Sequence, residues 1–273
     1  MKTIAFGQYY PVQSPIHRLD ARIKIILAIL FIVCTFLCKN ILCFAALIVA
    51  ALFLIFMSRL PLGTVLRSIR PLIFIMIFTA VLNLFWTTGE TPLFEWWRIR
   101  IYEEGIYSAV FMVVRIIVLV LGTGLFLTYT TTPIALTDGI ESLLSPLRVI
   151  RVPVHEFAMM MTIALRFIPT LSEETGKIMN AQKARGVDFS EGGLIRRAKA
   201  LVPILIPLFV SSFRRADELA MAMECRCYRG GKGRTRMTVP HLHARDFVAL
   251  VVMVAFGAGI LYLNRLGIGY SVP

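Results

Sequence analysis

Apolar runs alternate with short polar segments along most of the chain. Five of these runs reach or approach the roughly 20 residues that a helix needs to cross a hydrocarbon core of about 30 Å. They lie at Ile23–Cys38, Ile41–Met57, Leu72–Trp86, Gly105–Thr130 and Phe247–Leu263. The pattern predicts an all-α integral membrane protein with about five transmembrane helices.

Two other apolar stretches, Phe157–Leu171 and Leu201–Phe213, are interrupted by Arg166 and by prolines such as Pro203 and Pro207. Because proline removes a backbone donor and bends a helix, we expect both stretches to be too short to span the membrane. They are predicted to form helices at or below the cytosolic membrane face. Together with the polar helical segments that follow them, they predict a cytosolic α-helical domain with two long crossing helices.

The basic residues are concentrated on one side of the predicted membrane. Of the 29 Lys and Arg residues, four lie in residues 1–24, three in 58–71 and 17 in 131–246. Because cytosolic loops carry an excess of Lys and Arg, we place these segments in the cytosol, with a cytosolic N-terminus and an external C-terminus. The predicted domains are a membrane part of four helices (1–130), a cytosolic domain (131–246) and a final transmembrane helix with its tail (247–273).

The composition agrees with a membrane protein. Hydrophobic residues make up 58% of the chain and charged residues 16%, whereas soluble domains have about 45–50% apolar and 25% charged residues. The simplest explanation of the net charge of +13 is membrane orientation together with anionic lipid headgroups. The chain has no recognisable nucleic-acid module and no basic run interleaved with aromatic residues, so we expect the lipid membrane, and no nucleic acid, as a partner.

The sequence lacks the motifs of common enzymes and ATPases. The glycine-rich run at 230–233 has neither the spacing of a phosphate-binding loop nor an apolar helix after it. The pairs Cys225-x-Cys227 and His241-x-His243 are each one residue too tightly spaced for usual zinc ligands. We therefore expect no catalysis, no metal and no cofactor in this chain, and any ATP hydrolysis must take place on another chain.

Arg115 lies in the middle of the fourth predicted span. A charge at the centre of a membrane helix costs about 2.5–3.5 kcal/mol on insertion scales, so its side chain must have a polar contact. Two alternatives remain open. Either backbone carbonyls or Asn83 satisfy Arg115 inside the helix bundle, or Arg115 makes a polar contact with a membrane partner or with a moving element.

Two segments of the cytosolic domain end in an arginine between small residues, Ala184-Arg185-Gly186 and Cys225-Arg226-Cys227. Each arginine alone is explained by ordinary capping, because a cation at a helix C-terminus interacts favourably with the helix dipole. Gly186 fits the left-handed residue that follows such an end. Two matched copies favour docking instead, since a guanidinium binds carboxylates bidentately and arginine is common at interface hot spots. A pair of nucleotide-driven subunits would be a suitable two-fold partner.

Several longer motifs, spread over nearly the full length, carry a resemblance to a known family. They are Gly7-Gln8-Tyr9-Tyr10, Ser14-Pro15-Ile16-His17-Arg18-Leu19-Asp20-Ala21-Arg22, Leu165-Arg166-Phe167-Ile168-Pro169, Ala181-Gln182-Lys183-Ala184-Arg185-Gly186, the pair Pro203 and Pro207, and the run Arg215–Glu224. With these motifs the chain resembles the T component, the energy-coupling transmembrane subunit, of energy-coupling-factor (ECF) transporters.

The resemblance implies a non-catalytic subunit in the cell membrane of a prokaryote. In this family two arginines end coupling helices that sit in grooves of two ABC-type ATPases on the cytosolic face. The implied docking residues are Ala184, Arg185, Gly186, Cys225, Arg226 and Cys227. A small membrane-embedded S component binds a vitamin or other micronutrient, and its movement carries the substrate inward. Cysteines replace the usual small residue and glycine around Arg226, so the geometry of the second helix end stays open.

Six residues are expected to support the coupling helices: Glu173, Glu174, Pro203, Pro207, Asp217 and Glu218. The acidic residues are predicted to bind basic neighbours such as Arg214 and Arg215, and the prolines to bend the second helix. The alternative function is a self-contained secondary transporter, which would show inverted repeats or spans broken around midplane polar residues; neither is found. The substrate cannot be named from this chain, because its pocket belongs to another subunit.

Overall fold

The computed structural model describes residues 9–87, 92–96, 99–187, 189, 193–231 and 242–266. The helices are α1 (Ala21–Leu37), α2 (Ile41–Ser58), α3 (Leu62–Ile69), α4 (Ile73–Trp86), α5 (Glu103–Thr123), α6 (Pro133–Leu144), α7 (Val154–Ala184), α8 (Leu194–Cys225) and α9 (Ala244–Leu266). The predicted all-α membrane class is confirmed. A small antiparallel hairpin of β1 (Pro92–Trp96) and β2 (Ile99–Tyr102) was not predicted. Strands of five and four residues are too short to be recognised from the long apolar runs that predict membrane spans.

Four of the described helical segments are long and apolar enough to cross a membrane: Ile41–Ser58, Gly63–Trp86, Glu103–Tyr129 and Ala244–Leu266. They overlap the second to fifth predicted spans. The third predicted span, Leu72–Trp86, is longer in the structure than predicted, because α3 and a 3-10 turn at Arg70–Leu72 lead directly into α4. The predicted first span coincides with α1, which has 17 residues and is shorter than the four.

The chain forms two compact units, the first comprising residues 1–139 and 240–273 and the second residues 140–239. In the first unit α1 packs against α5 and α9. Phe31 of α1 is fully buried and lies against Gly122 of α5, where any Cβ atom would overlap its ring. Glycine at this position therefore lets the backbone of α5 approach α1.

Buried polar groups fasten the N-terminal ends of α1 and α9 to each other. The carboxylate of Asp246, which is 2% exposed, accepts hydrogen bonds from His243 N at 2.8 Å and from Asp20 N at 2.9 Å. Lys24 Nζ donates to the carbonyls of Thr130 at 2.7 Å and His17 at 3.2 Å. Because unpaired buried charges are costly, these bonds explain why charged residues are tolerated among apolar helices.

The second unit is dominated by α7 and α8, which pack antiparallel. Gln182 of α7 contacts Pro203 of α8, and eight residues earlier in α7 Glu174 contacts Ser211, eight residues later in α8. The two helices have 31 and 32 residues. The two long helices predicted for this part of the chain are present, and both continue through their prolines.

The side chain of Gln182 satisfies a backbone carbonyl of α8 that the pair Pro203 and Pro207 leaves without a donor. Within a helix the carbonyl of Pro203 would accept from the backbone N–H of residue 207, but Pro207 has none. Gln182 Nε2 donates to this carbonyl from the neighbouring helix at 3.5 Å. The orphaned acceptor of α8 therefore becomes a link to α7.

Candidate functional site: two arginine-bearing helix ends

The C-terminal end of α7 is a Schellman motif around Arg185. Gly186 has a left-handed φ of 86°, its N–H donates to Lys183 O at 3.0 Å, and the N–H of Val187 donates to Gln182 O at 3.1 Å. These are the two backbone bonds that define the motif. The predicted left-handed role of Gly186 is confirmed, and Arg185 is the last residue before the chain turns away from the helix.

The end of α8 repeats this geometry with different residues. Cys227 takes the left-handed position with φ 57°, its N–H donates to Glu224 O at 2.8 Å, and the N–H of Tyr228 donates to Met223 O at 3.0 Å. The geometry that the sequence left open is therefore a second Schellman motif. A left-handed non-glycine residue costs about 1–2 kcal/mol, a strain that α7 avoids by using glycine.

Both arginines and their immediate neighbours are accessible. Ala184, Arg185, Gly186, Cys225, Arg226 and Cys227 are all exposed. Within the part of the chain that the structure describes, neither guanidinium has an ion pair or a side-chain hydrogen bond. Since the capping bonds run between backbone atoms, the arginine side chains take no part in holding the helix ends.

The two helix ends lie at opposite ends of the α7–α8 pair. Gln182 lies opposite Pro203, so Arg185 is next to the N-terminal part of α8, whereas Arg226 ends that helix. The 23 residues from Pro203 to Arg226 correspond to about 35 Å at 1.5 Å per residue. The two arginines are therefore separate contact points and do not form one joint site.

Glu174 is the polar link in the middle of the pair. Its Oε1 accepts a hydrogen bond from the Ser211 hydroxyl, and its Oε2 lies 2.9 Å from Arg215 Nη2. These donors, Ser211 first and then Arg215, lower the pKa of the Glu174 carboxyl. Ser211 was not anticipated, because a serine inside an apolar stretch carries no distinguishing pattern.

The other predicted acidic supports do not act in this way. Glu173, Asp217 and Glu218 are exposed, and among the described residues none of them forms an ion pair with Arg214 or Arg215. Their exposure shows that these side chains face the surroundings and not the facing helix. Only Glu174 of the predicted four joins the helices.

Small side chains leave space between α7 and α8. Ala216 and Ala220 line a cavity of about 280 Å³ together with Phe167, Leu171 and Met223. Because Ala216 and Ala220 are exposed, this cavity is a cleft that opens to the surroundings. The helices are therefore linked by side-chain hydrogen bonds at Gln182 and Glu174 and are separated by the cleft toward the end that carries Arg226.

Arg115 contacts the inside of the helix bundle. Its Nη2 donates to Cys38 O at 3.1 Å, and its guanidinium carbon lies 5.5 Å from the centre of the Phe44 ring. Asn83, the other internal partner considered, instead donates to Thr79 O at 2.9 Å. The structure therefore favours satisfaction by a carbonyl over contact with a membrane partner.

The described residues contain no group of His, Cys, Asp or Glu side chains that could hold a metal ion. Of the four residues weighed as zinc ligands, His241 lies outside the described part of the chain. Cys225 and Cys227 are free thiols on the surface. That the protein needs no metal and no cofactor stays a prediction.

The two helix ends predict opposite responses to substitution. Gly186→Ala should lower the free energy of unfolding by about 1 kcal/mol, because alanine is strained at positive φ. Cys227→Gly should be neutral or stabilising, because relief of about 1–2 kcal/mol of strain outweighs the gain of about 0.4–1 kcal/mol in unfolded-chain entropy. Thermal unfolding in detergent measures both, and a destabilised Cys227→Gly beside an unaffected Gly186→Ala would contradict this geometry.

Comparisons with known proteins agree over almost the whole chain. The family model CbiQ, described as cobalt transport protein, matches residues 12–237. Three similar proteins are each called energy-coupling factor transporter transmembrane protein EcfT. The protein from Clostridium kluyveri is 53% identical over 250 residues, covering 91% of this chain and 92% of the relative. Those from Thermosediminibacter oceani and Brevibacillus brevis are 51% and 50% identical, covering 95% and 93% of this chain and 97% and 96% of the relatives.

The apolar spanning helices and these matches define a membrane subunit of a transporter. The chain belongs to the CbiQ family, as an energy-coupling transmembrane T component of ECF transporters.

Proposed function

We propose that this T component couples ATP hydrolysis by two ABC-type ATPase subunits to the movement of a membrane-embedded S component that carries a vitamin or other micronutrient. The chain itself is the non-catalytic link between these partners. The observation that carries the proposal is the pair of matched helix ends, each presenting an exposed arginine without a partner among the described residues.

The separation of the arginines supports two ATPases and not one. At about 35 Å along the helix pair, each arginine would meet its own subunit. An acidic groove suits each of them, because a guanidinium at a helix C-terminus binds carboxylates bidentately. Each arginine stands at an exposed helix end that is closed by backbone bonds, which favours insertion of that helix end into a groove.

The α7–α8 pair is suited to transmit motion between the partners. Gln182 near one end and Glu174 in the middle link the helices, while the cavity beside Ala216 leaves room for rearrangement toward the other end. The apolar face of α8 is exposed at Leu205, Ile206 and Phe209, and we propose that it meets the S component or the membrane. Displacement of the ATPases would then change the packing of α7 on α8 and move that face.

The proposed orientation follows the basic residues. The N-terminus and the α7–α8 pair are placed on the cytosolic side of a prokaryotic cell membrane, where Lys and Arg are enriched, and the C-terminus outside. The family description names cobalt for CbiQ proteins, but the transported compound is recognised by the S component and so is a property of another chain.

Uptake by reconstituted proteins tests the function. Proteoliposomes containing this chain, two ATPases and an S component should accumulate that S component's substrate only when ATP is supplied. The self-contained secondary transporter makes the opposite prediction, since the chain alone would then drive uptake with an ion gradient. Uptake by the isolated chain would contradict the proposal.

Arg185→Lys tests whether the docking contact is bidentate. It should reduce ATP-driven uptake although the charge is kept, because an ammonium group cannot reproduce the two parallel bonds of a guanidinium. The matched control is Lys183→Arg, an exposed position two residues earlier, which should leave uptake unchanged. Full coupled uptake by Arg185→Lys would show that only a general electrostatic contact is made there.

A further inference from the structure

An apolar groove lies between α2 and α9 in the first compact unit. The two helices meet at one end, where Asn40 Nδ2 donates to Leu263 O at 3.4 Å and Cys43 Sγ lies 3.8 Å from Ile260 O. Beyond this contact, toward the N-terminus of α9, a cavity of about 660 Å³ separates them. Its size falls in the range of about 300–1,000 Å³ typical of ligand sites.

The lining of the groove is apolar except at one end. Its floor includes the buried residues Leu27 and Phe31, and its rims include Phe53 of α2 and Val252 of α9, each 62% exposed. Among the described residues that line the groove, Arg245 is the only charged one. A long apolar slot that ends at a single cation matches an amphiphile with an anionic head.

The length of the groove distinguishes an acyl chain from a protein helix. Along α9 it runs from Ala244 to Phe256, about 18 Å at 1.5 Å per residue. This is little more than half of a hydrocarbon core of about 30 Å. A transmembrane helix of a partner needs the whole thickness, whereas the lining of the groove ends at Phe256 on α9, and farther along α2 and α9 meet at Cys43 and Ile260.

Arg245 is available to a headgroup. The adjacent carboxylate of Asp246 is buried and occupied by the backbone N–H groups of Asp20 and His243, so it does not neutralise Arg245. Within the described residues Arg245 forms no ion pair, and its side chain is exposed. The position of Arg245 in the first turn of α9 places it at the level where lipid phosphates lie.

We propose that the groove binds one acyl chain of an anionic phospholipid, with the headgroup phosphate at Arg245. The lipid comes from the leaflet that contains the N-terminal end of α9, which the distribution of basic residues assigns to the cytoplasmic side, where anionic lipids attract such residues. The acyl chain of this lipid fills the space that α2 and α9 leave between them and so completes the packing of the first unit.

Native mass spectrometry of the purified transporter complex, titrated with phosphatidylglycerol or phosphatidylcholine, tests this site. The complex should bind one phosphatidylglycerol more tightly than phosphatidylcholine. Arg245→Gln should weaken the binding of phosphatidylglycerol about fivefold, the factor that one basic side chain near an anionic surface contributes, and should leave phosphatidylcholine unaffected. Arg265→Gln, which removes the same charge from the other end of α9, is the matched control and should change neither.

The apolar part of the site has its own pair of variants. Val252→Trp fills the groove from its rim and should weaken the binding of both lipids. Val251→Trp, on the same helix but outside the groove lining, should weaken neither, which also shows that α9 tolerates the larger side chain. Equal affinity for the two lipids in the unaltered protein, or equal effects within either pair of variants, would overturn the proposal.

A photo-reactive residue at position 252 identifies the occupant directly. In native membranes it should label phospholipid. Labelling of another protein subunit or of a second copy of this chain would overturn the proposal, because the groove would then be a protein interface.

Discussion

Replacing Arg185 and Arg226 together by alanine should release the ATPase subunits from the membrane part or uncouple ATP hydrolysis from uptake. Loss of an interface hot spot costs about 2–4 kcal/mol, and each 1.4 kcal/mol is about tenfold in affinity, so the double variant should be far more impaired than either single one. The protein should still fold, because both helix ends are closed by backbone hydrogen bonds. Co-purification of the ATPases and ATP-driven uptake measure the effect.

The neighbouring basic residues provide the control. Lys183 and Arg229 are exposed and lie two and three residues from the two arginines. Lys183→Ala with Arg229→Ala removes the same net charge from the same two regions, yet should retain the ATPases and uptake. If the arginine double variant forms a coupled complex, or if the control is equally impaired, the arginines are not the docking residues.

Cross-linking α7 to α8 should stop transport without releasing the ATPases. Leu171 and Ala216 line the cavity between the two helices, so Leu171→Cys with Ala216→Cys can be joined by a short thiol-specific linker. The exposed Cys225 and Cys227 are first replaced by serine. Because the linker holds the helices where their packing is loose, it should prevent the rearrangement while leaving both helix ends free to dock.

A reducible linker provides the control for this experiment. Uptake should be lost on cross-linking and restored on reduction, while each single cysteine variant treated with the linker remains active. Normal transport by the cross-linked protein would show that α7 and α8 serve only as a rigid dock, and loss of the ATPases would show that the linker disturbs the helix ends themselves.

The spanning helices were predictable because burial in lipid imposes a pattern that a single sequence displays. An apolar run of about 20 residues has few other uses, so α2, α4, α5 and α9 were located within a few residues. The two long helices α7 and α8 were predicted as well, but the way in which α8 accommodates its prolines was not, for a physical reason. Proline predicts a break because it removes a donor, but the acceptor left by Pro207 is satisfied by Gln182 from another helix, and such a contact is invisible along the chain.

The candidate site was predictable only in part. Gly186 could be assigned its left-handed conformation, because glycine adopts it without strain. The left-handed conformation of Cys227 could not be predicted, because cysteine has no preference for a positive φ. The backbone hydrogen bonds of the helix end impose this conformation. Glu174 was named together with three other acidic residues. Which of the four faces α8 depends on how the helices are rotated against each other, and that is settled by packing.

Photo-cross-linking from the two helix ends tests the docking of the ATPases most directly. A photo-reactive residue is placed at Lys183, at Arg229 or, as a reference, at Arg214, which is exposed in the middle portion of α8, and the assembled transporter is irradiated in membranes. Positions 183 and 229 should each yield an adduct with an ATPase subunit, and position 214 should not. Adducts with the ATPases from position 214 alone, or from neither helix end, would contradict the account.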